Sequence, residues 1–126
     1  MKTIFLTISF FIFSSCNFSD REYFLPSNYI FRQEGGYENR IIRNHKLIVA
    51  QGAIDFSYDD NYVMFAVDTI YPMPSKIITN KLLFLVHDLK TDNPLDTLNF
   101  DDYKKFILDK KIEKEKDLSV RKFISR

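Results

Sequence analysis

Tryptophan is absent, cysteine occurs once and histidine twice, and there are only three glycines and four prolines in 126 residues. Each scarcity excludes something. A lone cysteine forms no internal disulfide and no multi-thiolate metal site, so the fold must rest on its core. Three glycines leave no room for GxGxxG or Walker-type phosphate loops, and neither motif occurs. No Gly-x-Ser-x-Gly elbow surrounds Ser57 or Ser75. Charge of one sign is also missing. The formal net charge is +1, which gives the chain no general attraction to nucleic acid. What is plentiful is apolar: 45% of residues, with Phe and Tyr supplying an aromatic content of 16%. That is a globular composition, and the length suits one domain.

The first fifteen residues stand apart. Met1-Lys2-Thr3 is a short positive start, and Ile4 to Phe13 is almost wholly apolar before Ser14-Ser15-Cys16. Charge, apolar run and small residues before a cut form a signal-peptide pattern. The run of about ten residues is too short for a spanning helix, which needs ~20. Phe13-Ser14-Ser15-Cys16 resembles the bacterial lipobox, with Phe13 where the common pattern has Leu. That resemblance implies alkylation of the Cys16 thiol by diacylglycerol, cleavage before Cys16 and acylation of the new amine. Two or more acyl chains hold a protein on a membrane where one does not. Residues 1–15 are therefore expected to be a lipoprotein signal peptide, and 16–27 a polar lipidated tether.

Residues 28–112 carry the pattern of an α+β domain. Strand candidates run over Asn28–Gln33, Asn39–Arg43, Lys46–Gln51, Ala53–Tyr58, Tyr62–Thr69 and Lys81–Leu89, with Thr97–Asn99 short. Turn residues separate them: Gly35-Gly36, Asn44-His45, Asp59-Asp60-Asn61 and Asp92-Asn93-Pro94. Within Ala53–Tyr58, alternation puts Ile54, Phe56 and Tyr58 on one face. Asn99 reads as a helix cap with Asp101 and Asp102 in the first turn. Phe100, Tyr103, Phe106 and Ile107 then recur at helical spacing. Strands first and a helix after them predict a small antiparallel β-sheet followed by one C-terminal helix. The strands around Val63–Val67 and Leu82–Val86 are apolar on both faces, so both faces need cover. One helix covers one; sheet curvature, the loop at Pro72–Asn80, the tail or a partner must cover the other. Residues 113–126 read as a basic tail, and the last dozen residues, beyond Lys114, are expected to add little to stability.

From Tyr23 to about Leu108 the chain resembles a family of bacterial lipoproteins catalogued as domain of unknown function 3997. Three stretches carry the likeness: Phe24-Leu25-Pro26-Ser27-Asn28-Tyr29, Tyr58 to Ala66, and Phe84 to Asn93. The family often has Tyr or Trp before paired Ile where this chain has Leu82-Leu83-Phe84. The resemblance implies an envelope lipoprotein with a small β-rich fold, and no activity.

Residues able to carry chemistry are few. Asp59-Asp60, Asp88 with Asp92 and Asp96, and Asp101-Asp102 sit at expected turns or the helix start. Asp88-x-x-x-Asp92-Asn93 lacks the ligand ladder of a calcium loop. Backbone-bonding turn chemistry accounts for these acids. His45 and His87 each lack a neighbouring histidine. No catalytic residue, cofactor or metal ligand is assigned. The expected function is a lipid-anchored envelope protein whose small domain binds a partner. Its partners would be the membrane, through lipid on Cys16, and an envelope protein, with Tyr29, Phe56, Tyr58 and Tyr62 as candidate contacts. The alternatives are a hydrolase-like envelope enzyme with scattered site residues, marked by polar groups converging in one pocket, or a purely structural component.

Overall fold

A computed structural model describes residues 21–70 and 79–120. The signal segment 1–15, Cys16 and the start of the tether, most of the Pro72–Asn80 loop, and Phe123 and Ile124 of the tail lie outside the described residues.

The chain folds as an α+β domain with eight antiparallel strands and a late helix. Strands β1 (Arg21–Leu25), β2 (Tyr29–Gln33), β3 (Arg40–Arg43) and β4 (Lys46–Val49) form one sheet in the order β1-β2-β3-β4. Strands β5 (Ala53–Tyr58), β6 (Tyr62–Asp68), β7 (Leu82–Asp88) and β8 (Asp96–Leu98) form a second, in the order β5-β6-β7-β8. Helix α1 (Phe100–Asp109) follows.

Local chemistry sets the turns. Asn44 and His45 both take positive φ, 50° and 65°, which closes β3 onto β4 in two residues. Both central residues of the tightest hairpin turns need this geometry, and Asn tolerates it well. The Asp59 carboxylate accepts the backbone N–H of Asn61 at 2.7 Å and of Tyr62 at 2.8 Å, fixing the β5–β6 turn. The Asn99 side chain caps α1 by accepting the Asp102 N–H at 2.8 Å.

Strands that are apolar on both faces explain the division into two sheets. On one side of the second sheet, Met64, Ala66, Phe84 and Val86 pack under Tyr103 and Ile107 of α1. The Tyr103 ring stacks on Phe84 with centroids 4.0 Å apart. On the other side, Val63 and Phe65 meet Leu25, Tyr29, Phe31 and Ile41 of the first sheet. The cover that the sequence pattern demands is therefore a second sheet, and the layers run sheet, sheet, helix. Gly52 makes the crossing between sheets. Its φ of +86° suits glycine, its N–H donates to the Tyr37 carbonyl at 2.7 Å, and its carbonyl accepts the Asp68 N–H at 2.7 Å.

Three expectations are corrected. The 16–27 tether gives up its second half to the fold, because Tyr23 and Leu25 have a core face to fill and Arg21–Leu25 pairs with β2 along its whole length. The alternation in β5 breaks at a register shift between Ala53 and Asp55. A bulge adds one residue and so moves side chains between faces: Ile54 packs on the helix side, while Phe56 packs between the sheets. The basic tail is not peripheral at its start, since Leu118 is fully buried beside Tyr103. The Leu118 N–H donates to the Tyr103 hydroxyl at 3.0 Å, which in turn reaches the Met64 sulfur at 3.9 Å.

Candidate functional site

Four polar side chains that the sequence leaves far apart meet at one end of the sandwich. Tyr29 begins β2, Arg43 ends β3, His87 sits near the end of β7, and Asp92 lies in the turn after it. The Tyr29 hydroxyl is 2.9 Å from His87 Nδ1, and His87 Nε2 is 2.8 Å from Asp92 Oδ1. Arg43 donates to Asp92 Oδ1 at 3.2 Å, to the Ser27 hydroxyl at 2.8 Å and to the Ser27 carbonyl at 3.1 Å. Its guanidinium also lies 4.9 Å from the centre of the Tyr29 ring.

The electrostatics fix the direction of these bonds. The hydrogen bond from His87, together with the Arg43 charge, holds the Asp92 carboxyl below its ordinary range. An ionised carboxylate only accepts, so Nε2 carries a proton, and in the neutral imidazole Nδ1 then accepts from Tyr29. Burial pushes the Tyr29 hydroxyl up, with Arg43 opposing and Asp92 adding to the rise, so the phenol keeps its proton.

Such a relay could activate a hydroxyl in an open cleft. Here it is closed. Tyr29 is 1% exposed and the His87 side chain 1%, so neither reaches a substrate. The network ties the first sheet to the second, and Ser27, Asn28, Asn44, His45 and Asp92, all with positive φ, lie in the turns of the three hairpins that carry it. Its only trace in the sequence is a histidine five residues before a turn aspartate. Nothing there points to Tyr29.

Of the other expected turn carboxylates, Asp59 and Asp88 hold their turns, while Asp96 begins β8 opposite Val86. Asp88 accepts the N–H of Lys90 at 2.9 Å, and Asp101 and Asp102 occupy the first turn of α1. His45 is exposed in its hairpin. Among the described residues, no group of three His, Cys, Asp or Glu is placed to hold a metal ion. Of the four candidate contacts, Tyr29 is corrected outright, because its ring fills the core between the sheets. Phe56 is half-buried there, tilted against Phe31 at 5.0 Å. Tyr62 packs edge-on against Phe106 of α1, also at 5.0 Å. Tyr58 is the exposed one, with the Lys116 ammonium 5.8 Å from its ring centre.

The apolar surface lies elsewhere. Register places Phe24 opposite Ile30, Ile30 opposite Ile42, and Ile42 opposite Leu47. These four make one row across all four strands, on the face turned away from the core. Phe24 is 73% exposed and Leu47 53%. The neighbouring row is Glu22, Arg32 and Arg40, with Arg32 bound to Glu22 at 2.6 Å and Arg40 to Glu34 at 2.9 Å. The alternations Glu22/Phe24, Ile30/Arg32 and Arg40/Ile42 carry this signal in the sequence. Reading β1 as tether hides the row's most exposed member.

Comparison with protein-family models, curated proteins and solved structures finds no significant match. Among the described residues, no helix is long and apolar enough to cross a membrane.

Proposed function

We propose that the protein is a lipid-anchored module of the bacterial cell envelope, acylated on Cys16, that works by surface contact and not by catalysis. The contact surface in this reading is the outer face of the first sheet. The observation that carries it is a contrast. The Tyr29 hydroxyl and the His87 imidazole, the groups best suited to proton transfer, are buried, whereas Phe24 and Leu47 stand in water at the ends of an apolar row. Exposed large apolar groups arranged contiguously mark contact surfaces more often than scattered ones do. The signal-type segment that ends at Cys16 supports the anchor.

Two assays test this. Fatty-acid labelling should mark the wild type, and Cys16→Ser should lose both label and membrane fractionation. In a deletion strain, Phe24→Ser with Leu47→Ser should fail to restore the phenotype while folding normally, and Asp92→Asn should restore it. The reverse pattern would sink the contact reading and turn attention to the relay.

A further inference from the structure

We propose that the occupant of the first sheet's outer face is the lipid bilayer itself, so that the anchored domain lies flat on β1–β4. This rests on acylation of Cys16, as proposed above, and adds an orientation and a partner to it.

Reach is the first argument. Arg21, where β1 begins, follows Cys16 by five positions, and at ~3.6 Å per residue these span at most about 18 Å. The strand they lead into belongs to the sheet that carries the apolar row, and Phe24 follows Cys16 by eight positions. The anchor thus keeps the sheet that carries this face within about 18 Å of the membrane.

Chemistry is the second. The row joins an exposed aromatic, two half-buried isoleucines and an exposed leucine, and Ile48 beside it is 41% exposed. Beside the row runs a charged one in which Arg32 pairs with Glu22 and Arg40 with Glu34, so its charges balance. Apolar side chains entering the acyl boundary beside charged residues that stay at headgroup level is the pattern of an interfacial surface. The sheet's inner strands keep their backbone groups paired, so only side chains need enter the lipid.

Size is the third, and it disfavours a second copy of the chain. A stable protein partner covers ~800 Å² per side, and one row of four side chains is a small part of that. A tethered domain meets its membrane at high effective concentration, so a small face suffices.

The absence of tryptophan supplies the test. Phe24→Trp places a single indole in the row, and Leu108→Trp places one on the exposed side of α1, where Leu108 is 76% exposed. Each mature lipidated variant is purified and reconstituted in phosphatidylglycerol–phosphatidylcholine vesicles, and acylation is confirmed by mass. Circular dichroism melts matching the wild type establish that both fold. The expected result is a blue shift for Phe24→Trp with loss of emission when the acyl chains are brominated, and neither change for Leu108→Trp. Equal quenching of both variants, or of neither, overturns the orientation. A blue shift of Phe24→Trp without bromolipid quenching assigns the face to a protein neighbour and also overturns it. Missing acylation in the mass measurement defeats the anchor reading, and the inference falls with it.

Discussion

Leu118→Ala isolates the contribution of a residue that lies in a lysine-rich, sparsely apolar stretch yet is fully buried. The leucine closes the core between α1 and the second sheet, beside Tyr103, Ile107 and Met64. Truncating it removes three carbons from a packed site and leaves a cavity; comparable leucine truncations cost about 3–5 kcal/mol. Leu118 lies in a turn, which can relax inward more easily than a strand, so the lower figure, about 3 kcal/mol, is the better expectation. In a domain of this size each kcal/mol moves the midpoint by ~4–8 °C, so the melting temperature should fall by roughly 12–24 °C. The assay is thermal unfolding of the mature chain followed by far- and near-ultraviolet circular dichroism. Val120→Ala, two residues on and 57% exposed, is the control and should stay within about 0.5 kcal/mol of the wild type. If Leu118→Ala melts with Val120→Ala, the segment does not close the core and the account of the helix-side packing is wrong.

Gly52→Ala should be comparably damaging, since an added Cβ would lie 2.5 Å from the Asp68 carbonyl oxygen at a φ of +86°. Backbone strain of ~1–2 kcal/mol and a weakened hydrogen bond of ~1 kcal/mol predict a loss of roughly 2–3 kcal/mol in denaturant titration. A midpoint unchanged from the wild type would show that the crossing does not need glycine. Because the folded-state pKa of Tyr29 is raised above 10.0, its contribution to stability is complete below that pH and is lost as pH rises through the folded value. Tyr29→Phe should therefore flatten the alkaline limb of a stability–pH curve, and an unaltered limb would contradict the burial of that phenol. Asp92 has the opposite sign. Its depressed pKa adds stability above pH 3.8 that is lost as pH falls through the folded value, so Asp92→Asn should flatten the acid limb and, by removing its share of the rise at Tyr29, soften the alkaline one only slightly.

The class of fold and most element positions were legible because they depend on neighbours in the chain. Period-two alternation, turn residues at short intervals and the Asn99 cap are local signals, and each corresponds to an element of the structure. The apolar runs of β6 and β7 showed that both faces need cover, but the cover is a second sheet, which was not among the covers expected. What could not be read was which residues supply that layer, since Arg21–Leu25 looks polar when its alternation is not sought. Ile54 misled because a bulge changes facing without changing composition. Leu118 misled because one buried residue in a charged segment leaves no periodicity. The relay was least legible of all: Tyr29 and His87 are separated by 58 positions, and only the packing of two sheets brings them together.

Both sheets run in chain order, each strand lying beside the one made before it. During synthesis this sets a timetable. The hydrogen bonds of β1–β4 can form as soon as residue 49 has emerged, but their inner face has nothing to rest on until β5, β6 and β7 follow. The relay waits for Asp92, and the helix-side core waits for Leu118, nine residues beyond α1. A nascent chain halted between β7 and that point holds paired strands whose helix-side apolar face is still open. Leu118 therefore decides when that face stops being a surface a chaperone can bind and becomes closed core.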